Sequence, residues 1–172
     1  MKTIIFVFHP NLTKGSRINH TLPQAAAKKG FEVRDLYALY PDFQIDVKKE
    51  QEVLAAADRI VFQFPIYWYQ VPALMKQWLD DVLEYGWAYG STGTALRDKQ
   101  LFLAPSFGAG ADDYTLTGRF QATFEEILRP IETIKFHTGV DYQKPFITAG
   151  ALNLSEKDCE RQAQSYVECL KS

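Results

Sequence analysis

Apolar and polar positions alternate between two rhythms from one end of the chain to the other. Thr3 to Phe8, Arg59 to Phe64 and Gln100 to Ala104 are nearly unbroken apolar runs, the pattern of strands covered on both faces. Phe31 to Leu36 alternates apolar with polar, which suits a less buried strand, and Pro145 to Ala149 reads as a fifth. Helical spacing fills the intervals. One helix is predicted from near Ser16 to about Lys29 with Gly30 as its stop, and another from Val47 to Ala57 after a long loop at Tyr37 to Asp46. Behind Pro72, the residues Leu74, Met75, Trp78, Leu79, Val82 and Leu83 share one helical face, and Gly86 ends that segment. A short helix from Phe120 to Leu128 is expected, then one opened by Pro130 and closed by Gly139. Ser155-Glu156-Lys157-Asp158 is a helix start. Cys159, Ala163, Tyr166, Val167 and Leu170 form the buried stripe behind it.

Strands alternating with helices over short connections imply a mostly parallel sheet with helices on both faces. No linker or internal repeat interrupts residues 1–172, so a single domain is expected. Five strands in this length favour an α/β three-layer sandwich of order 2-1-3-4-5, flavodoxin-like, over the Rossmann order. The first strand also lacks the G-x-G-x-x-G that a dinucleotide fold would place behind it.

Charge adds mainly exclusions. A net charge of -2 and a pI near 5.9 point away from nucleic acid and from anionic membranes. No apolar run is long enough for membrane insertion. The N-terminal run stops at His9-Pro10, too short for a signal peptide core, and reads as a buried strand. Cys159 and Cys169 lie ten residues apart in one predicted helix, ~15 Å along its axis, which forbids a bridge between them and suits a reduced, cytoplasmic protein. His9, His20 and His137 have no metal-ligand spacing, so no metal site is expected. Neither a phosphate-binding P-loop nor a nucleophile elbow appears. Asp80-Asp81 and Asp112-Asp113 suit a polar helix face and a solvated loop rather than acid–base chemistry.

Three loops carry the candidate chemistry. His9 to Asn19 leads from a strand end into a helix N-terminus, where free N–H groups and the helix dipole favour an anion; Ser16 caps that helix and can also serve a phosphate. Pro65-Ile66-Tyr67-Trp68-Tyr69 places three consecutive aromatics after the third strand. Side chains of successive residues point in different directions, so the three cannot all enter one core. A ligand platform and a subunit contact are equally good readings of the remainder. Ser106-Phe107-Gly108-Ala109 follows the fourth strand with small residues that permit close backbone approach. In the expected order, strands one, three and four are neighbours, so the loops converge at the edge where open α/β sheets bind ligands. An anion site, an aromatic platform and a small-residue loop together suit a planar cofactor bearing a phosphate.

At these residues the chain resembles the flavodoxin-like NAD(P)H:quinone oxidoreductases. It is most similar to the branch of small bacterial NAD(P)H oxidoreductases and ancillary subunits of glutathione-gated potassium efflux systems. The matching stretches are His9-Pro10, Ser16-Arg17-Ile18-Asn19, Leu36 to Phe43, and Phe64 to Gly93 with its Pro65-Ile66-Tyr67-Trp68-Tyr69 and Gly86-Trp87-Ala88-Tyr89-Gly90. The resemblance implies a bound flavin, FMN with FAD as the alternative, and NADH or NADPH as donor. It implies passage of electrons to a quinone or similar small planar acceptor by ping-pong hydride transfer. By that resemblance His9, Ser16, Arg17, Ile18 and Asn19 hold the phosphate side. Pro65, Ile66, Tyr67, Trp68 and Tyr69 line the ring, and Ser106, Phe107, Gly108 and Ala109 meet its polar edge. Tyr114 stands beside the hydride-transfer site as the catalytic residue. A homodimer is implied, with Trp87 to Gly90 near the interface. The alternatives are a regulatory subunit docked peripherally on a potassium efflux transporter and a flavodoxin-type electron carrier. The chain departs from the family pattern twice. Phe107 stands where a Thr-Thr-Gly-Gly stretch has its second hydroxyl, and a histidine of animal members is missing near Phe120.

Overall fold

β1 (Thr3–Val7) is buried at every residue because a helix layer covers each face of its sheet. The computed structural model describes residues 1–172. After β1 come α1 (Leu12–Gly15), α2 (Arg17–Ala27), β2 (Glu32–Asp35), α3 (Leu36–Leu39), α4 (Val47–Ala56), β3 (Arg59–Pro65), α5 (Ala73–Val82) and β4 (Gln100–Ser106). A 3-10 turn at Ala111–Asp113 precedes α6 (Phe124–Glu132), α7 (Lys135–Thr138), β5 (Asp141–Tyr142) and α8 (Glu156–Lys171). The strands form one sheet of order β2-β1-β3-β4-β5, and all its pairs are parallel. The flavodoxin-like three-layer order is thus the observed one.

Strand alternation divides the core. Ile4, Phe6, Phe62, Phe64 and Leu103 face one way, toward Leu54, Leu74 and Trp78 of α4 and α5. Ile5, Val7, Val61 and Phe102 face the other, toward Ile18 and Leu22 of α2 and Cys159, Ala163 and Tyr166 of α8. Trp78 is fully buried against Phe6, Phe8 and Phe62, at centroid distances of 5.5, 5.6 and 5.6 Å. Its Nε1 donates to Glu50 at 3.1 Å. Glu50 is itself 0% exposed, and it also accepts from Tyr40 Oη (2.6 Å) and pairs with Arg34. This polar knot joins β2, α4, α5 and the segment after α3. It also keeps Tyr40 protonated, its hydroxyl pushed above the ordinary range by burial and by Glu50.

Several boundaries differ from the sequence expectation. Pro130 does not open a helix; it lies inside α6, which begins at Phe124 behind a capping box of Thr123 and Glu126. The fifth strand is regular only at Asp141–Tyr142, before the expected Pro145 to Ala149. Pro145 has no N–H to give, so the ladder breaks there. The chain then rejoins the β4 edge, with Phe146 N–H to Leu103 O (2.8 Å), Thr148 N–H to Pro105 O (3.0 Å) and Phe107 N–H to Thr148 O (2.8 Å). The loops expected at His9 to Gly15 and Tyr37 to Asp46 each contain a single helical turn. No helix is long and apolar enough to cross a membrane.

Candidate functional site

The sheet reverses its strand order between β1 and β3, so a crevice opens beyond their C-terminal ends. Register places Val7 beside Gln63 and Pro65 beside Ser106, which brings the three candidate loops together. They enclose a cavity of about 380 Å³ lined by His9, Gly15, Ser16, Arg17, Asn19, Pro65, Ile66, Tyr67, Ser106, Gly108, Ala151, Leu152 and Leu154.

One end of this slot is built by the start of α2. Ser16 is extended (φ -155, ψ 119), and its Oγ caps the helix by accepting from Asn19 N–H. The Ser16 N–H has no acceptor within the protein. The N–H groups of Arg17 and Ile18 fall in the first turn, where a helix has no carbonyl of its own to offer. Asn19, 2% exposed, bridges the floor: its Nδ2 donates to Ser16 Oγ (2.9 Å) and Ser106 Oγ (2.8 Å), and its carbonyl accepts from Gln63 Nε2 (2.9 Å). Asn19→Ala is expected to destabilise the fold by about 1–3 kcal/mol, because Ser106 loses its buried partner. Urea unfolding midpoints measure this, and an unchanged midpoint would deny the bridge any structural weight.

His9 is almost buried, at 3% exposure. Its Nδ1 accepts from Asn11 N–H at 3.1 Å, so its proton belongs on Nε2, which faces Tyr67 Oη at 3.4 Å. Burial lowers the His9 pKa from the ordinary 6.5, with the Asp35 charge opposing the shift. A neutral His9 leaves Arg17 as the only formal charge among the lining residues. In the free protein, the unfolded chain takes up a proton near pH 6.5 while folded His9 does not. The His9 contribution to stability is therefore complete above 6.5 and falls as pH drops toward the lower folded value. His9→Gln removes that slope, read by comparing unfolding free energies of the two proteins across the window; an identical slope in both would contradict it.

At the other end, Tyr67 and Gln70 exchange backbone hydrogen bonds, 3.0 Å in each direction, around Trp68 and Tyr69. Both enclosed residues have positive φ, 48° and 61°. Trp68 is 92% exposed and Tyr69 44%, so neither is absorbed by the core. The N–H groups of Trp68, Tyr69 and Gly108 have no acceptor within the protein. From Tyr69 a chain of aromatic contacts runs inward through Phe120 (5.8 Å) to Tyr114 (4.9 Å) and Phe107 (5.0 Å). Burial raises the pKa of the Tyr114 hydroxyl, and the neighbouring Ala109 N–H partly offsets this.

Of the residues singled out from sequence, His9, Ser16, Arg17, Asn19, Pro65, Ile66, Tyr67, Ser106 and Gly108 meet in the slot. Trp68 and Tyr69 stand on its rim, and Tyr114 and Ala109 lie beyond it. Two placements narrow how those residues can serve. The Phe107 ring is 0% exposed, packed on Tyr114 and Phe124, and its N–H is taken by Thr148. The Ile18 side chain is core, packed with Leu22 and Val61, and only its backbone is available. Ala151, Leu152 and Leu154 line the slot without having been singled out. Their one hint was position, between the fifth strand and the last helix cap.

The sheet order, and a slot with unpaired N–H donors at both ends and aromatics on its rim, define a flavodoxin-like protein built for a flat ligand with an anionic tail. The chain belongs to the family of flavodoxin-like fold proteins, whose model matches residues 1–170. It is 46% identical to the uncharacterized NAD(P)H oxidoreductase YrkL of Bacillus subtilis (strain 168), over all of this chain and 99% of that one. It is 38% identical to the glutathione-regulated potassium-efflux system ancillary protein KefF of Citrobacter koseri, over 97% of this chain and 94% of that one. The crystal structure of general stress protein 14 from Treponema denticola, in complex with FMN, superposes with a TM-score of 0.93 at 40% identity, covering 99% of this chain and 98% of that one.

Proposed function

We propose that this protein is an FMN-dependent oxidoreductase that takes electrons from NADH or NADPH and delivers them to a quinone or similar small planar acceptor. The observation that carries this reading is the slot itself. Its anion end has open N–H groups and a single positive side chain, its rim has exposed aromatics, and no carboxylate lines it. The relatives named as NAD(P)H oxidoreductases and the FMN-bound structure support it.

In this reading Ser16, Arg17, Ile18 and Asn19 hold the phosphate through backbone N–H groups and the Ser16 hydroxyl, with His9 Nε2–H nearby. Ile66, Tyr67, Trp68 and Tyr69 flank the ring, and Ser106 with the Gly108 N–H meets its polar edge, Ala109 lying behind them. The bound flavin supplies hydride acceptance and electron donation. The protein supplies orientation. Donors fixed along the β4 loop favour negative charge at the ring edge without reorganising. Tyr114, set beside the hydride-transfer site by the family resemblance, is 8% exposed, and burial favours its protonated hydroxyl. One open face serves donor and acceptor in turn, which gives ping-pong kinetics. A homodimer in the cytoplasm is part of the proposal; exposed Tyr85 (69%) and Phe136 (73%) beside the half-exposed Tyr89 offer it a surface.

Anaerobic mixing of the FMN-loaded protein with NADPH, and separately with NADH, tests the reading. The visible flavin band should bleach with at least one donor and return on adding a benzoquinone. No bleaching by either nicotinamide would leave only an electron carrier. A second reading, peripheral docking on a potassium efflux transporter, is favoured by the 38% identity to an ancillary protein of such a system. Co-purification with the transporter in detergent tests it, and failure of the FMN-loaded protein to co-purify would oppose it.

A further inference from the structure

The loop after β5 forms a strap along one wall of the slot. At one end its backbone is pinned to the β4 loop, with Gly150 N–H to Ala109 O (2.6 Å), Ala151 N–H to Phe107 O (2.9 Å) and Leu152 N–H to Gly108 O (3.3 Å). At the other end, 137 residues away in sequence, Arg17 Nη1 donates to the Leu154 carbonyl at 2.9 Å. The two anchors differ in kind. The first is a set of backbone bonds, whereas the second is one exposed arginine whose ordering costs rotamer freedom. The strap is therefore fixed at the ring end and only clasped at the anion end. At the first anchor Leu152 is held 84% exposed while still bordering the cavity. An apolar side chain held this far into water by its own backbone bonds is a wall waiting for something to cover.

We propose that the Arg17–Leu154 clasp selects a flavin mononucleotide over a flavin dinucleotide, by closing the anion end of the slot behind a terminal phosphate. This rests on the flavin reading above and goes on to name the residue that discriminates. A terminal phosphate monoester carries nearly two negative charges and three free oxygens. The α2 N-terminus answers it with open N–H groups, the Ser16 hydroxyl and one adjacent guanidinium. In a dinucleotide the same phosphate is bridged, has one fewer charge there, and must continue into a second phosphate and a nucleoside. That continuation starts at the anion end, where the clasp joins α2 to the strap. On this proposal it meets the Arg17–Leu154 contact there and must part it. The cavity volume of about 380 Å³ also lies toward the small end of ligand pockets.

Calorimetric titration of the flavin-free protein with riboflavin, FMN and FAD tests the proposal, comparing the native chain with Arg17→Ala. The native protein should bind FMN at least about tenfold more tightly than FAD, the scale of one hydrogen bond to a charged group. Arg17→Ala should weaken FMN, strengthen FAD and leave riboflavin unchanged; the last serves as the control for folding. Equal binding of FMN and FAD by the native protein, or FAD affinity that stays constant or falls with FMN in Arg17→Ala, overturns the clasp and leaves the flavin slot standing. Failure of all flavins to bind removes the slot and the clasp together.

Discussion

Replacing Trp68 with Asn and Tyr69 with Gly together is expected to raise the melting temperature while stripping the protein of flavin. Positive φ at both central residues, closed by reciprocal Tyr67–Gln70 bonds, is the geometry of a primed two-residue turn. That turn favours Asn-Gly, because large L side chains are crowded at positive φ. Here it holds tryptophan and tyrosine instead. Each such residue costs on the order of 1–3 kcal/mol. Trp68, 92% exposed, recovers none of it by burial, and Tyr69, 44% exposed and packed on Phe120, recovers only part. Relieving about 2 kcal/mol should shift the midpoint upward by several degrees in a chain this size. Stacking on one aromatic is worth ~1–3 kcal/mol, so loss of both rings should weaken FMN roughly a hundredfold or more. Trp68→Ala alone should cost about 1–3 kcal/mol in flavin retention. Scanning calorimetry and FMN titration read the two effects separately. A lower melting temperature in the double variant, or unchanged FMN affinity, would mean that the strain and the platform are unrelated.

The largest loss of stability is expected from Glu50→Ala, on the order of 3–5 kcal/mol, the usual result of removing one partner from a buried charged pair. The substitution leaves Arg34 with 14% side-chain exposure and no counter-charge. It also strips Trp78 Nε1 and the Tyr40 hydroxyl of their acceptor. Glu50→Gln keeps the volume and an acceptor oxygen, so it should lose less. Urea unfolding of the two variants checks this, and equal midpoints for Glu50→Ala and the parent would show that the knot contributes nothing. The consequence extends toward the site. α5 follows the aromatic turn, and its Leu74 N–H is capped by Tyr37 Oη at 3.2 Å from the same α3 region that Tyr40 anchors. Loosening of the knot should therefore be felt at the platform as weaker flavin retention.

How far the sequence reveals this molecule depends on how local each signal is. The unbroken runs of β1 and β3 announce buried strands because both faces of each residue pair are covered, and α8 announces itself through Ser155 and its stripe. Ser16 is legible as a cap, and its position after β1 makes the anion end legible too. What is not legible depends on distant partners. Phe107 reads as a loop residue near a ligand, yet the hydrogen bond from its N–H to Thr148 continues the strand and sends its ring inward. Glu50 looks like any polar residue in Lys48-Lys49-Glu50-Gln51, and only Arg34, Tyr40 and Trp78, supplied by other elements, make it a core residue. The strap at Ala151 to Leu154 bears no motif at all. It becomes part of the site through Arg17 and the β4 loop, which no spacing within the strap encodes.

The most direct test of the flavin slot is the visible absorption spectrum of the purified chain, recorded before and after adding excess FMN and removing what does not bind. The expected protein is yellow as isolated or becomes so, with flavin bands and stoichiometric uptake that falls away in the double replacement of Trp68 and Tyr69. A folded protein that stays colourless and releases all the added FMN would contradict the slot and every residue role assigned to it.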